Sequence, residues 1–305
     1  MQTEGQITPP PRIVEAVQAK TILNRVQGMP FSWSINPYRG CAHGCAFCYA
    51  RSSHTYLGLQ TDDSFRRHLF VKKNAARILR QELSRRRMKG MVVIGTATDP
   101  YQPLEAKEQI TRQVLLVLRE FQVPVSITTR SPLILRDLDL LRSMKCSVNI
   151  SINTLDLDVW RRLEPASPNP FRRIQTLVAL RQEGIRAGLF LAPVLPRLTD
   201  GRQTWEPILE QAATAKACFV IPGMLRLGPE VKEWYLQVVQ EHFPRQCADT
   251  LQLYRKGQFP PKPYVDQVMG QILASSRQRG IPTRDGFYSE CRNPEEESQQ
   301  LTFDL

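Results

Sequence analysis

No stretch of this chain has the roughly 18 consecutive apolar residues that a membrane-spanning helix needs. The opening segment, MQTEGQITPPPR, holds no apolar core of the kind a signal peptide carries. The sequence therefore predicts a cytoplasmic protein with no membrane partner. There is no internal repeat and no low-complexity tract, which excludes a solenoid built from stacked units. Cysteine is present in an odd number, seven, so a fully paired disulfide scaffold is excluded. Lysine is scarce among the cations: 10 of 41, the other 31 being arginine. The charge is thus carried mostly by planar guanidinium groups, which grip phosphate and carboxylate in a bidentate way.

What is present is enough for a large core. Of 305 residues 42% are hydrophobic, which excludes disorder throughout. The formal charge is +12, and residues 51–90 supply +8 of it, with 11 cations against Asp62, Asp63 and Glu82. Two readings of that stretch stay open, a nucleic-acid-binding face and a solvated Arg-rich surface.

Apolar, β-branched runs of strand length recur at 31–36, 91–96, 123–129, 147–152, 186–192 and 218–221. Helical patterns follow at 72–88, 108–121, 132–144, 156–163, 170–183 and 202–216. Ser131-Pro132 is a helix start, with a capping hydroxyl and a proline in the first turn. Alternating strands and helices predict an α/β fold with a parallel sheet and right-handed crossovers. Six units are too few for a closed eight-stranded barrel, so the expectation is an open, partial (βα)6 barrel. Function in such sheets sits at the C-terminal strand ends. Residues 1–30 read as an N-terminal extension with at most a short helix at 13–20, 31–227 as the barrel, and 228–305 as a helical C-terminal region with helices at 230–242 and 264–279.

The densest chemistry is Cys41-Ala42-His43-Gly44-Cys45-Ala46-Phe47-Cys48, a C-x3-C-x2-C spacing just after the first strand. Three thiolates in one loop can bind three corners of a four-iron cluster, leaving one iron open. Gly40 and Gly44 let the chain wrap closely. A structural zinc site would need a fourth ligand, and no second C-x2-C pair supplies one. Cys146 and Cys218 begin strands and read as small core residues. Cys247 and Cys291 carry no interpretable pattern.

These residues resemble the radical S-adenosylmethionine (SAM) superfamily. The segments NPYRGCAHGCAFCYAR, GTATDPYQPLE, RSPLILRDLDLL, SINTLD, LEPASP and APVLPRLTDG resemble its branch related to spore photoproduct lyase, and within it an uncharacterised bacterial subgroup. The resemblance spans roughly residues 31–225. It implies a [4Fe-4S] cluster on Cys41, Cys45 and Cys48, with SAM on the open iron. It further implies reductive cleavage of SAM to a 5′-deoxyadenosyl radical that abstracts hydrogen from a substrate. For SAM it implies Thr98 and Asp99 near the amino group, Thr129 and Arg130 near the carboxylate, and Ser151 and Asn153 on the ribose side. Tyr49 and the backbone near Pro193 are then candidates for the adenine side. Two departures stand out. Thr96 occupies the position aligned with the lyase's hydrogen-donating cysteine, and Phe47 replaces one of two tyrosines flanking the last cluster cysteine, while Tyr49 keeps the other. Tyr38, Tyr49, Tyr56 and Tyr101 are candidates for another radical path, and Arg39 for a charge beside the cluster.

An electron donor such as flavodoxin or ferredoxin is the implied partner. The substrate is unread: nucleic acid through the Arg-rich 51–90 stretch leads, a peptide or small metabolite follows. A reading from another class is a non-catalytic Fe–S or zinc binding protein, in which the polar strand ends would be idle. The oligomeric state is not encoded in any pattern seen.

Overall fold

The structure, a computed structural model, describes residues 12–85 and 88–283. Its strands in chain order are β1 (Ile13–Val17), β2 (Asn24–Arg25), β3 (Trp33–Ile35), β4 (Tyr38–Arg39) and β5 (His68–Lys72). They continue with β6 (Val92–Ile94), β7 (Val125–Thr129), β8 (Cys146–Ser151), β9 (Ala187–Val194) and β10 (Val220–Met224). The main sheet has the order β10-β9-β8-β7-β6-β3-β2. Six of these strands are mutually parallel, and β2 adds antiparallel at the β3 edge. This is the expected partial six-unit barrel.

The strand sequences explain their places. Every residue of β8, CSVNIS, is buried, as befits a strand covered on both faces. The helices between strands start on side-chain caps. Asp156 accepts from the amides of Asp158 and Val159 at 2.8 and 3.2 Å, opening helix Leu157–Leu163. Asn169 accepts from Phe171 N at 2.8 Å, opening Pro170–Gln182. Such caps satisfy amides that have no partner inside the helix. The expected helix at 132–144 is instead a 3-10 turn, Pro132–Asp137, followed by the short helix Leu138–Leu141. Asp137 sits at the break, fully buried, and accepts from Tyr101, Arg112 and Arg136 at 2.8–3.0 Å. The chain turns there to bring a carboxylate to three donors. The expected helix at 108–121 likewise divides at Gln109, whose φ is 52°.

The expectation for residues 13–20 is corrected. They contain no helix; β1 runs parallel to β5, pairing Ile13 with His68 through Val17 with Lys72. With β4 these strands form a separate three-stranded sheet in the order β1-β5-β4. The expected helix at 72–88 is correspondingly shortened to Ala75–Ser84, because Lys72 ends β5. On the C-terminal side helices Pro229–His242 and Lys262–Gln278 match expectation, and Pro244–Leu253 lies between them. Lys262–Gln278 packs on β10, and Val220 N donates to Pro282 O at 2.8 Å. Cys291 and Arg87 fall outside the described residues.

A main core runs under the sheet. A second cluster joins Cys45, Ala46 and Phe47 to Leu163, Leu225, Tyr235 and Val239. The cysteine loop is thereby clamped between the barrel mouth and the C-terminal helices. No helix among the described residues is long and apolar enough to cross a membrane.

Candidate active site

The cysteine loop leaves β4 through Gly40 and ends at the 3-10 helix Tyr49–Leu57. Gly40 and Gly44 have φ of +74° and +67°, a region that side-chain-bearing residues rarely occupy. A Cβ on Gly40 would meet His68 O at 2.7 Å, and one on Gly44 would meet Arg66 Cδ at 2.4 Å. Main-chain bonds fix the loop: Cys41 N donates to Phe65 O at 3.1 Å and Ala46 N to Leu163 O at 2.8 Å. Gln102 accepts from Ala42 N at 2.9 Å. Cys41 and Cys45 are buried and Cys48 half-buried, and all three are free thiols. Burial, followed by the nearby Asp99 carboxylate, pushes the Cys41 thiol up to about 12. Burial also raises Cys45, against the pull of Arg130.

The three thiols share one wall of a cavity of about 920 Å³ at the C-terminal ends of the parallel strands. Thr98, Asp99, Thr129, Arg130, Ser151 and Tyr49 line the same cavity, as does Pro193. Asn153 does not line it; it is 5% exposed and its Oδ1 is buried without a hydrogen-bond partner.

Asp99 is the organiser of the second and third strand ends. It accepts from Thr129 Oγ1 at 2.7 Å and from the amides of Arg130 and Tyr101 at 2.9 Å each, and His43 Nε2 lies 3.4 Å away. Burial alone would raise its pKa, but His43 and these donors hold it near 2. Thr98 Oγ1 donates to Gly40 O at 2.7 Å and accepts from Gln102 Nε2 at 3.1 Å, so it braces the loop.

Arg130 reaches from the end of β7 to the cysteine loop. Nη1 donates to Cys45 Sγ, Nη2 donates to Ser151 Oγ at 3.0 Å, and the guanidinium lies 5.9 Å from the Phe47 ring. Behind it Glu164 is 1% exposed and accepts from Arg173 Nη2 at 2.5 Å and Ser167 Oγ at 2.9 Å, with Arg130 Nη1 at 3.4 Å. Burial opposes ionisation of Glu164, but Arg173, then Arg130, and the two hydrogen bonds hold its carboxyl near 2.

Residues 35–212 match the description "Radical SAM superfamily". The chain belongs to this superfamily. A Mycobacterium tuberculosis (H37Rv) uncharacterised protein is 32% identical over 264 residues, covering 84% of this chain and 78% of the relative. A Methanocaldococcus jannaschii uncharacterised protein is 29% identical over 185 residues, covering 60% and 68%. The "Radical SAM Nalpha-GlyT isomerase" of Pseudomonas phage M6 is 29% identical over 163 residues, covering 52% and 32%. In fold the chain is similar to a spore photoproduct lyase mutant with bound AdoMet and dinucleoside spore photoproduct: TM-score 0.60, 14% identity, 87% of this chain and 77% of the other. This protein is therefore a radical SAM enzyme with a lyase-like fold.

The residues present fit the cluster this superfamily uses. Among the described residues no three His, Cys, Asp or Glu side chains converge on a single metal-sized point. Three free thiols on one loop, all lining the cavity, are the ligand type that iron–sulfur groups take. Two guanidiniums, Arg130 and Arg51, are directed at that loop.

Other sequence candidates are placed elsewhere. Tyr38 and Tyr101 are core residues, with phenols on Glu105 and Asp137, and line no part of the cavity. Tyr56 is 86% exposed. Tyr49 is the one of the four that lines the cavity, with its phenol on Thr96 O. Arg39 lies near Lys72 and His54 rather than against the cavity. Cys146 is buried and Cys247 packs in the second core, while Cys218 is half-buried. Sequence reasoning missed Arg51 and Arg173 as parts of the site, while Gln102 and Glu164 stand in the segments GTATDPYQPLE and LEPASP that it singled out. The spacing of Arg51, three residues beyond Cys48, was the available signal.

Proposed function

We propose that Cys41, Cys45 and Cys48 hold a [4Fe-4S] cluster, that SAM binds beside it in the cavity, and that the enzyme abstracts hydrogen from a substrate reaching the same cavity. When bound, the cluster supplies the electron that cleaves SAM to a 5′-deoxyadenosyl radical. The observation that carries this is the position of Arg130. One guanidinium spans a loop thiol and Ser151 on the cavity wall, so it can neutralise a carboxylate placed between them. Asp99 holds the Thr129–Arg130 turn through two hydrogen bonds, and it keeps the third strand end facing the loop. Thr98 fixes the exit of Gly40. Ser151, on the cavity wall, is assigned to the ribose side, whereas Asn153 lies behind the lining with its Oδ1 buried.

The rest of the wall supports a mostly apolar substrate. Phe31, Phe190, Ile221 and Met224 line it, with Arg226 as a cation at the lip. No described cation of the 51–90 stretch lines the cavity. Arg66 and Arg67 pair with Asp63, and Arg80 with Glu120. This favours a peptide or small metabolite with an anionic group over a nucleic acid gripped by that stretch. Among the described lining residues the only thiols are those of the loop, and the side chain of Thr96 offers only a hydroxyl, paired with Asn36. A hydroxyl O–H is too strong to return hydrogen to a carbon radical, so the thiol-return step of the lyase has no donor here.

The test is anaerobic reconstitution with iron and sulfide, then dithionite and SAM. Formation of 5′-deoxyadenosine is expected; a reconstituted protein that forms none overturns the reading.

A further inference from the structure

Arg51 is fully buried, at 0% exposure, yet among the described residues no carboxylate lies within ion-pair distance of it. Its fork is met by main-chain carbonyls instead. Nε donates to Cys45 O at 2.8 Å and Nη2 to Gly44 O at 2.6 Å. Nη1 donates to Thr61 O at 2.9 Å and also to Asp62 O. Four of the five guanidinium N–H groups are thereby used. The group also lies 5.4 Å from the Phe65 ring centre and 5.1 Å from that of Trp234, within cation–π range.

A buried charge without an opposite charge is costly, and burial does act against this one. Carbonyl dipoles and ring faces solvate the cation; Asp62 meets it only through its main-chain oxygen, and Asp63 already serves Arg66 and Arg67.

Taking the cluster reading as its premise, we propose that Arg51 is the built-in counter-cation of the cysteine loop, a positioning residue that favours the more negative, reduced state of the cluster. An oxidised four-iron core has two positive charges against three thiolates, so the ligated group is anionic and becomes more so on reduction. Net charge and nearby hydrogen bonding set the potentials of such groups. A fixed cation in a low-dielectric site acts more strongly than one in water. Arg51 has two separable parts, the charge and the fork. The charge acts on the potential; the fork holds the carbonyls of Gly44 and Cys45 and so the course of the loop.

The variants R51K and R51Q separate them. Each is reconstituted anaerobically, its iron content is measured, and the cluster's midpoint potential is read by an EPR-monitored titration. R51Q is expected to reduce the ratio of reduced to oxidised cluster at least tenfold at a fixed potential, a downward shift of about 59 mV for one electron. R51K is expected to keep the wild-type potential while amide exchange at Gly44 and Cys45 speeds up in the iron-free protein. An R51Q potential equal to wild type overturns the proposal. Should R51Q load no cluster, R51M, which also removes the charge, takes its place: a drop of about 59 mV or more supports the charge role, and an unchanged potential overturns it. If the wild-type protein itself loads no cluster, the cluster reading fails, and that outcome is distinct from a loaded protein whose potential ignores Arg51.

Discussion

The buried carboxylate of Glu164 offers a quantitative test of the site's construction that needs no cofactor. Glu164 is the one anion between two guanidiniums, Arg173 at 1% exposure and Arg130 with 15% of its side chain exposed. Replacing it by glutamine, E164Q, keeps the shape and leaves two buried cations without their shared partner. Breaking a buried pair in this way costs about 3–5 kcal/mol. The carboxyl's own titration gives an independent figure. Burial raises it, but Arg173 and Arg130 overcome that and hold it near 2 against an ordinary 4.5, a gap worth about 3 kcal/mol. For a chain of 305 residues about 3 kcal/mol lowers the melting temperature by about 5 °C. The sign in pH follows from the depressed value. The stabilisation is fully present above the unfolded-state value of 4.5 and is lost as pH falls toward 2. Thermal melts of the iron-free wild type and E164Q, followed by circular dichroism at pH 7, 5, 4 and 3, are the assay. The gap is expected to be widest at pH 7 and 5 and to shrink at 4 and 3. A gap under about 2 °C at pH 7, or one that stays constant to the lowest pH at which both fold, refutes the reasoning.

Three further predictions concern the loop and its surroundings. G44A places a methyl 2.4 Å from Arg66 Cδ at a φ of +67°, whereas G58A, at +70°, meets nothing within 4 Å; iron loading should fall severalfold in G44A and stay at wild type in G58A. D99N turns an acceptor for Thr129, Tyr101 N and Arg130 N into an amide with one acceptor oxygen, so SAM affinity by calorimetry should fall at least tenfold, about 1.4 kcal/mol. Lys72 is pushed down to about 8, first by burial and then by Arg39, from 10.5. The unfolded chain therefore binds more protons between those values and stability should rise with pH across that window. K72M should lack that rise in urea titrations at pH 7.5 and 10.

The parts of the fold read correctly from sequence share one property: their signal is local. The six parallel strands are short β-branched runs between turn residues, and caps such as Asp156 and Asn169 stand beside the helices they open. The β1–β5 pair is missed because its information is split across 55 residues, and β1 is mostly exposed, so no alternation marks it. In the site, the cysteine spacing announces itself. Arg130 is found from its strand end, but its contact with Cys45 is not, since that depends on how β7 and the loop approach in space. Arg51 is hidden for a different reason: its partners are carbonyl groups, which every residue has, so no residue type elsewhere in the chain advertises the contact. Tyr38 and Tyr101 show the converse. Phenols that the sequence offers for a radical path turn out to serve Glu105 and Asp137 in the interior.

The small β1-β5-β4 sheet has a consequence for how the chain around the cysteine loop is closed. Its parallel pair joins residue 13 to residue 68, and the cysteine loop lies entirely within the span so closed. Closing about 55 flexible residues costs roughly 3.5 kcal/mol of chain entropy, to be met by a short strand with four exposed positions. A group bound to Cys41, Cys45 and Cys48 would shorten that span only by the short stretch it ties, worth roughly 0.1 kcal/mol by the same relation, so the docking of β1 rests on its own pairing with β5 and not on what the loop holds.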